Sequence, residues 1–443
     1  MSTNSKQFSR RDFLKLGGGL AALAVADRMF PSLRKSILHP IDVASAQTDY
    51  DLFFAGTDGW ISLPSTPAIP PFHPDVLAPP PFTTYVFGFR NVSNMTTAQR
   101  LNQKMKAQHS APMFWVDQYE KTNADFKLKL TNLGLQIRPD LTDAHTVHWH
   151  GFRDAIPYFD GEPHGSVAVP PGKEFTYVYR PHDPGTYMFH CHVEDVEHVQ
   201  MGMAGMVFVR PLQDGTSIGG FTKFAYNDGD GLTGFDREFG MMLTEMWAEA
   251  HWADAHIQLP EWSDYHVDFA LLNGRTYPDT LAPSGSIDPF NPVYDANGDL
   301  VPPGGWGAGY DHLQYQPISS LVNCNEGERV LLRFANLGFM PITMALDGIQ
   351  MRVVGRDATL LRGRDGTDIS YMASSVLLHA GNSADAIFTA PAYQGPGPYD
   401  TYLLYNRNYK LSNNLSAGGL GGQMTEVRVY PAGTLPPQTV PNT

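Results

Sequence analysis

The sequence predicts an all-β protein made of two similar β-sandwich domains, and three observations carry that expectation. Short runs rich in β-branched and aromatic residues dominate after residue 110, each bounded by Gly, Pro, Asn or Asp. The chain holds 42 Gly and 35 Pro, a composition suited to many turns. The order of its segments also recurs. "LKLTNLG" (128–134) returns as "LLRFANLG" (331–338), "VPPGKEFTYVYRP" (169–181) as "LHAGNSADAIFTAP" (378–391), and "GTYMFHCHV" (185–193) as "DTYLLYNRN" (400–408).

Taken in order, the N-terminus places Arg10 and Arg11 before a Gly/Ala-rich apolar run from Leu16 to Ala26, too short to span a bilayer. This pattern predicts a twin-arginine export signal over 1–46, with cleavage after Ala46 favoured over Ala26. The protein is then expected in the periplasm or outside the cell. Residues 47–212 form the first expected domain and 236–432 the second. Between them lies the Gly/Asp-rich stretch "PLQDGTSIGGFTKFAYNDGDGLTGFD" (211–236). Residues 64–82 read as a proline-rich arm, and 97–108 as a short helix. The formal net charge is −14, which argues against nucleic acid and anionic membrane surfaces as partners, and no segment is apolar enough to span a membrane.

The two cysteines, Cys191 and Cys324, lie in different halves. An oxidising compartment would permit one long-range disulfide, but Cys191 has a competing use. Six of the sixteen histidines fall in two clusters, "HTVHWHG" (145–151) and "HCHVEDVEH" (190–198). Alternate residues of a strand share a face. His148 and His150 therefore point one way, as do His190 and His192, and two such strands side by side make a four-imidazole patch. Cys191 points to the opposite face. His145 precedes it, and His198 and Met203 follow on what reads as a loop. Two imidazoles, a thiolate and a weak thioether are the ligands of a blue-copper electron-transfer site. Zinc, the rival, seldom uses Met and usually takes more Cys. Each residue alone has a plainer role, such as a buried Cys or a Met in the core. The spacing of all of them together points to metal.

The motifs "DAHTVHWHG", "DGEP", "PPGKEFTYVY" and "GTYMFHCH" resemble those of the multicopper oxidases of the cupredoxin superfamily, closest to their two-domain laccase-like members. The resemblance covers roughly 110–430 and implies two Greek-key cupredoxin-like β-sandwiches. It implies a type 1 copper on His145, Cys191 and His198 with Met203 axial. His148, His150, His190 and His192 would belong to a second copper site that reduces dioxygen. It further implies a phenol, an amine or a metal ion as reductant.

Two departures stand out. Cys191 to His198 is seven positions, a longer and more acidic connection (Glu194, Asp195, Glu197) than the family pattern. The second half also lacks its own HxH pairs. Aligned on the repeat, His148 and His150 correspond to Ala345 and Asp347, and His190, Cys191 and His192 to Tyr405, Asn406 and Arg407. Its histidines have no HxH spacing, and "HWADAH" (251–256) reads as surface. Four imidazoles are few for three coppers. A neighbouring subunit, as in a homotrimer, could complete the site. The alternative is an exported blue-copper electron carrier without oxygen chemistry.

Overall fold

Alternation of apolar and polar residues in "FKLKLTN" puts every second side chain of Phe126–Asn132 into the interior, as a half-buried strand requires. The computed structural model describes residues 50–66, 68–301, 309–408 and 421–443. The expected export signal lies outside the described residues. The first half contributes β1 (Leu52–Ile61), β2 (Thr84–Asn91), β3 (Phe114–Asp117), β4 (Phe126–Asn132), β5 (His148–His150), β6 (Glu174–Tyr179), β7 (Gly185–His190) and β8 (Ala204–Arg210). They form two four-stranded sheets, β2-β1-β4-β6 and β3-β8-β7-β5. One core of aromatic and aliphatic side chains fills the space between them, including Phe54, Phe114, Trp149 and Phe189.

The second half contributes β9 (Arg237–Met246), β10 (Phe269–Leu272), β11 (Val322–Asn325), β12 (Arg329–Asn336), β13 (Ile342–Leu346), β14 (Met351–Arg356), β15 (Thr359–Leu360), β16 (Tyr371–Ala373), β17 (Ser375–Leu378), β18 (Ser383–Thr389), β19 (Asp400–Asn406) and β20 (Met424–Tyr430). The orders β10-β9-β12-β18-β14-β15, with β16 on β14, and β11-β20-β19-β13-β17 repeat the first pair of sheets. In each half the first long strand runs parallel to a later one, β1 with β4 and β9 with β12. Each half likewise ends on a parallel edge pair, β3 with β8 and β11 with β20. The protein is thus a pair of cupredoxin-like β-sandwiches. The repeated Asn makes the same turn in both, accepting from the backbone N–H of Gly134 (Asn132 Oδ1, 2.8 Å) and of Gly338 (Asn336 Oδ1, 2.9 Å).

Helix is sparse. The helix expected over 97–108 spans only Thr97–Leu101. Thr96 and Gln99 form a capping box at its start, but no helical residue is buried, so nothing sustains it beyond Asn102. Two further helices matter for function, α1 (Asp195–Met201) and α2 (Ala248–Ala255). The proline-rich arm reaches the second half, where Phe72 meets Trp252 at 5.5 Å and Phe82 stacks on Tyr315 at 5.4 Å.

A buried polar network also joins the halves. Arg333 is fully buried, donates to Glu238 (3.0 Å) and Thr186 (3.1 Å), and lies over the Phe208 ring at 4.4 Å. Thr186 and Tyr226 both donate to Asp385, at 2.5 and 2.6 Å. Removing the cation would leave buried Asp385 with its two hydroxyl donors alone and Glu238 with Arg210 as its remaining cation. Arg333→Met is therefore expected to cost about 3–5 kcal/mol of stability, read as a lower midpoint of chemical denaturation.

Candidate metal centres

Strand β5 pairs antiparallel with β7 so that His148 lies opposite His190. In the second half the pairing of β13 with β19 sets Ala345 opposite Tyr405. The two pairings are equivalent, so the missing second set of imidazoles is a substitution within a conserved strand register. The period of two does the rest: Trp149 and Cys191 go to the sandwich interior, both essentially unexposed, while the flanking histidines turn outward.

On the interior side, His145, Cys191 and His198 bring one ligand atom each within 4.8 Å of one another. Cys191 Sγ is 3.2 Å from His198 Nδ1, and the His145 and His198 rings are 5.2 Å apart. All three residues, with Met203, have 0% exposure. Neither ring nitrogen of His145 has a hydrogen-bond partner, although both are buried. An orphaned imidazole aimed at a buried thiol costs free energy unless something else binds it. Burial opposes ionisation of the Cys191 thiol, yet the neighbouring His198 charge holds it well below its ordinary value. His198 is raised to about 10, against the effect of burial, by Cys191 and Asp143. The surroundings thus favour the thiolate, the form a soft metal takes.

The residues around this cluster fix its shape. The backbone N–H of Thr146 donates to Cys191 Sγ (3.4 Å), and its hydroxyl accepts from the His192 N–H (2.9 Å). Asp143 Oδ2 lies 3.4 Å from His198 Nε2. Gly56 lets β1 approach, because a Cβ there would come within 2.6 Å of the His145 ring. Met203 is tied in through its backbone: its N–H donates to the His198 carbonyl (2.9 Å) and its carbonyl accepts from the Cys191 N–H (3.1 Å). Gly202, at φ +118°, is pressed between the His109 ring and the Phe87 carbonyl, leaving no room for a side chain.

The segment after Cys191 differs from its expected form. His198 sits in α1, not on a loop. Glu197 of that helix is half-buried against Asp254 of α2, and burial first, then the Glu197 charge, raises Asp254 to about 8. Arg138 binds both Asp254 and Asp140. The stretch 251–256 is not surface either. His251 is buried and donates from Nδ1 to the Tyr85 carbonyl (2.6 Å), while His256 meets Asp75 at 3.1 Å. Its packing on β2 draws on apolar residues distant in sequence, which no local periodicity reports.

On the outward side the four imidazoles form one patch. Rings of His148 and His192 are 5.0 Å apart, His148 and His190 5.3 Å, His190 and His192 5.4 Å, and His150 and His190 5.6 Å. His148, His150 and His190 bring ligand atoms within 4.8 Å of one another. His148 Nδ1 is 2.8 Å from the Asp160 carbonyl and His190 Nδ1 2.8 Å from the Cys191 carbonyl, which leaves each Nε2 facing the patch. Burial lowers His148, His150 and, to about 3, His190, so these rings stay neutral with lone pairs free. Gly381 of the second half borders the patch: a Cβ there would lie 2.8 Å from His150 Nε2. Cys324 lies far along the chain, buried and unpaired like Cys191, so no disulfide links them.

The sequence did not single out Asp143, Thr146 or Asp160. Asp143 stood in the quoted "DAHTVHWHG" but meets a histidine 55 positions away, and Asp160 opened "DGEP" but acts through its backbone carbonyl, which leaves no residue-type signal.

A paired β-sandwich with a buried His/Cys cluster on one face of a strand and four imidazoles on the other offers two sets of ligand types that suit a transition metal such as copper. Residues 127–214 match the multicopper oxidase family profile. The chain is 28% identical to laccase ustL of Ustilaginoidea virens over 150 residues, 32% of this chain and 22% of that protein. It is 24% identical to the iron transport multicopper oxidase fio1 of Schizosaccharomyces pombe over 302 residues, 66% of this chain and 40% of that protein. The matched regions therefore span well under half the length of these curated relatives. In fold it is similar to the blue copper oxidase of Nitrosomonas europaea, with a TM-score of 0.53 at 18% identity over 85% of each chain. The likeness to multicopper oxidases is thus carried by the segment 127–214 and by the fold, and copper is the metal that this likeness implies. Among the described residues no helix is long and apolar enough to cross a membrane.

Proposed function

We propose that the protein is a copper-dependent oxidoreductase of multicopper oxidase type, taking electrons singly at the Cys191 cluster and delivering them to dioxygen at the imidazole patch. The single observation that carries this reading is Cys191 itself, with its thiol 3.2 Å from His198 on one face and its two neighbours in the patch on the other. His145, Cys191 and His198 would hold the type 1 copper, with Met203 as a weaker further ligand, and His148, His150, His190 and His192 would hold copper at the second site. When bound, copper supplies one-electron redox chemistry at the first site and a binding position for dioxygen at the second. The protein's own part is geometric. The buried cluster excludes water from the thiolate, the Thr146 N–H steadies the sulfur, and the Asp160 and Cys191 carbonyls orient two of the imidazoles. Reduction of one dioxygen to two waters takes four electrons and four protons, so four one-electron donations are needed for each turnover.

The reductant would be a phenol, an amine or a metal ion, classes in keeping with the names of the laccase and iron-transport relatives. Export by the twin-arginine route suits a protein folded around its metal. A homotrimer in which a neighbouring subunit faces the patch would supply further ligands. The second reading, an electron carrier, draws on the substitutions Ala345, Asp347, Tyr405 and Arg407. Copper stoichiometry, visible and paramagnetic resonance spectra, and oxygen uptake on one preparation separate the two. Two or more coppers with oxygen uptake support the oxidase. One blue copper without uptake supports the carrier.

A further inference from the structure

The His198 ring has 0% exposure, so a reductant cannot touch it directly. What lies over it is assembled from distant segments. Phe87 of β2 packs edge-on at 5.8 Å, Asp143 meets Nε2, and α2 of the second half closes against α1 through Asp254 and Glu197. The proline-rich arm is fastened to the same place by the Asp75–His256 pair. These contacts join three segments that carry exposed apolar side chains: Val76 (83% exposed) and Leu77 of the arm, Val196 of α1, and Ile257 and Leu259 (80% exposed) after α2.

The charge of this face is equally uneven. The segments that build it, 61–89, 139–152, 181–209 and 243–268, hold nine Asp and Glu that are not buried and no Lys or Arg, with Arg90, Arg138, Arg153, Arg180 and Arg210 at their ends. Asp140, Glu194, Asp195, Glu261 and Asp264 are exposed. Arg138, the cation nearest α2, is buried and already occupied by Asp140 and Asp254. An apolar centre among exposed carboxylates is the complement of a protein surface with an apolar centre and a Lys-rich rim. Five large exposed side chains also offer more apolar area than one phenol or metal ion would cover.

We propose that this face docks a small basic redox protein, which passes electrons to the Cys191 cluster through the layer over His198. The partner's reduced centre loses one electron and the type 1 site gains it, with no bond made or broken. The proposal rests on the reading of His145, Cys191 and His198 as the electron-entry site, and its test separates the two.

The probe is a mitochondrial-type cytochrome c, a basic haem protein. Binding of its oxidised form to the copper-loaded protein is measured by calorimetry at about 0.01 M and about 0.15 M ionic strength, where the screening length falls from about 30 to about 8 Å. One-electron transfer from the reduced form is followed by stopped flow. We expect at least about tenfold weaker binding at the higher salt, and a similar loss in the doubly charge-reversed variant Asp195→Lys/Glu261→Lys. Leu259→Ser, a single change at an exposed site, should weaken binding with the visible spectrum unchanged. Binding that ignores salt, charge reversal and Leu259→Ser overturns the proposal. Loss of ferrous-ion oxidation in the charge-reversed protein, with cytochrome binding intact, overturns it in favour of a small cation. Absence of any blue centre in the wild type would sink the ligand reading instead, while the binding arm still decides the docking face.

Discussion

Cys191→Ser is expected to abolish the intense visible absorption of the copper-loaded protein completely. That absorption requires sulfur-to-copper charge transfer, and Cys191 is the cysteine whose sulfur lies within reach of both His145 and His198. A serine hydroxyl in the same place stays protonated and hard. Losing even an outer-shell partner of a metal ligand typically costs about 10–100-fold in affinity, so copper retention should fall by more than that. The fold should survive, because the side chain is small and the cavity left is modest. Unchanged circular dichroism with a colourless protein is the expected pair of results. A blue Cys191→Ser protein would refute the type 1 assignment.

The double substitution His148→Ala/His190→Ala should reduce oxygen uptake with any reducing substrate to background and leave the blue band in place. The two sites sit on opposite faces of one strand, so removing imidazoles from the outward side does not touch the thiolate. His148 and His190 face each other across the β5–β7 pair, each held by a carbonyl, and together they make half of the patch. Four imidazoles are already a small ligand set for chemistry that needs several metals close together, and two cannot hold it. Oxygen consumption that persisted in the double variant would place dioxygen reduction elsewhere.

Both ligand clusters were legible because strand periodicity is a local rule. Knowing that 148–150 and 190–192 are extended is enough to sort His148, His150, His190 and His192 from Cys191. The repeat was legible too, and the register of Ala345 with Tyr405 agrees with the alignment drawn from "ITMALDG" and "DTYLLYNRN". What escaped was everything that depends on contacts between segments far apart in sequence. The acidic connection after Cys191 read as a loop because it lacks a strong apolar stripe. It is a helix because Glu197 and Gln200 find partners on the second half, at Asp254 and at the Glu245 carbonyl (3.1 Å). His251 read as surface for the same reason. Its burial is set by the Tyr85 carbonyl, 166 positions away. Thr146 and Asp160 act through hydrogen bonds to or from backbone atoms, which other residue types can also make.

The cover over His198 also imposes an order of assembly. Three of its ligand-bearing positions, His145, Cys191 and His198, are synthesised well before Ala248–Ala255, the helix that closes over them. Once that helix has docked, an incoming ion meets four fully buried residues and no open approach along the ligand ring. Metal captured while the second sandwich is still unfolded would be sealed in, and release would then require local unfolding of the lid. Copper uptake by the folded apoprotein should accordingly be slow, independent of copper concentration above saturation, and accelerated by mild denaturant that loosens the helix. Uptake that stayed proportional to copper concentration would mean the route is open after all. A centre filled early and locked afterwards is one whose metal content is decided while the chain is still folding.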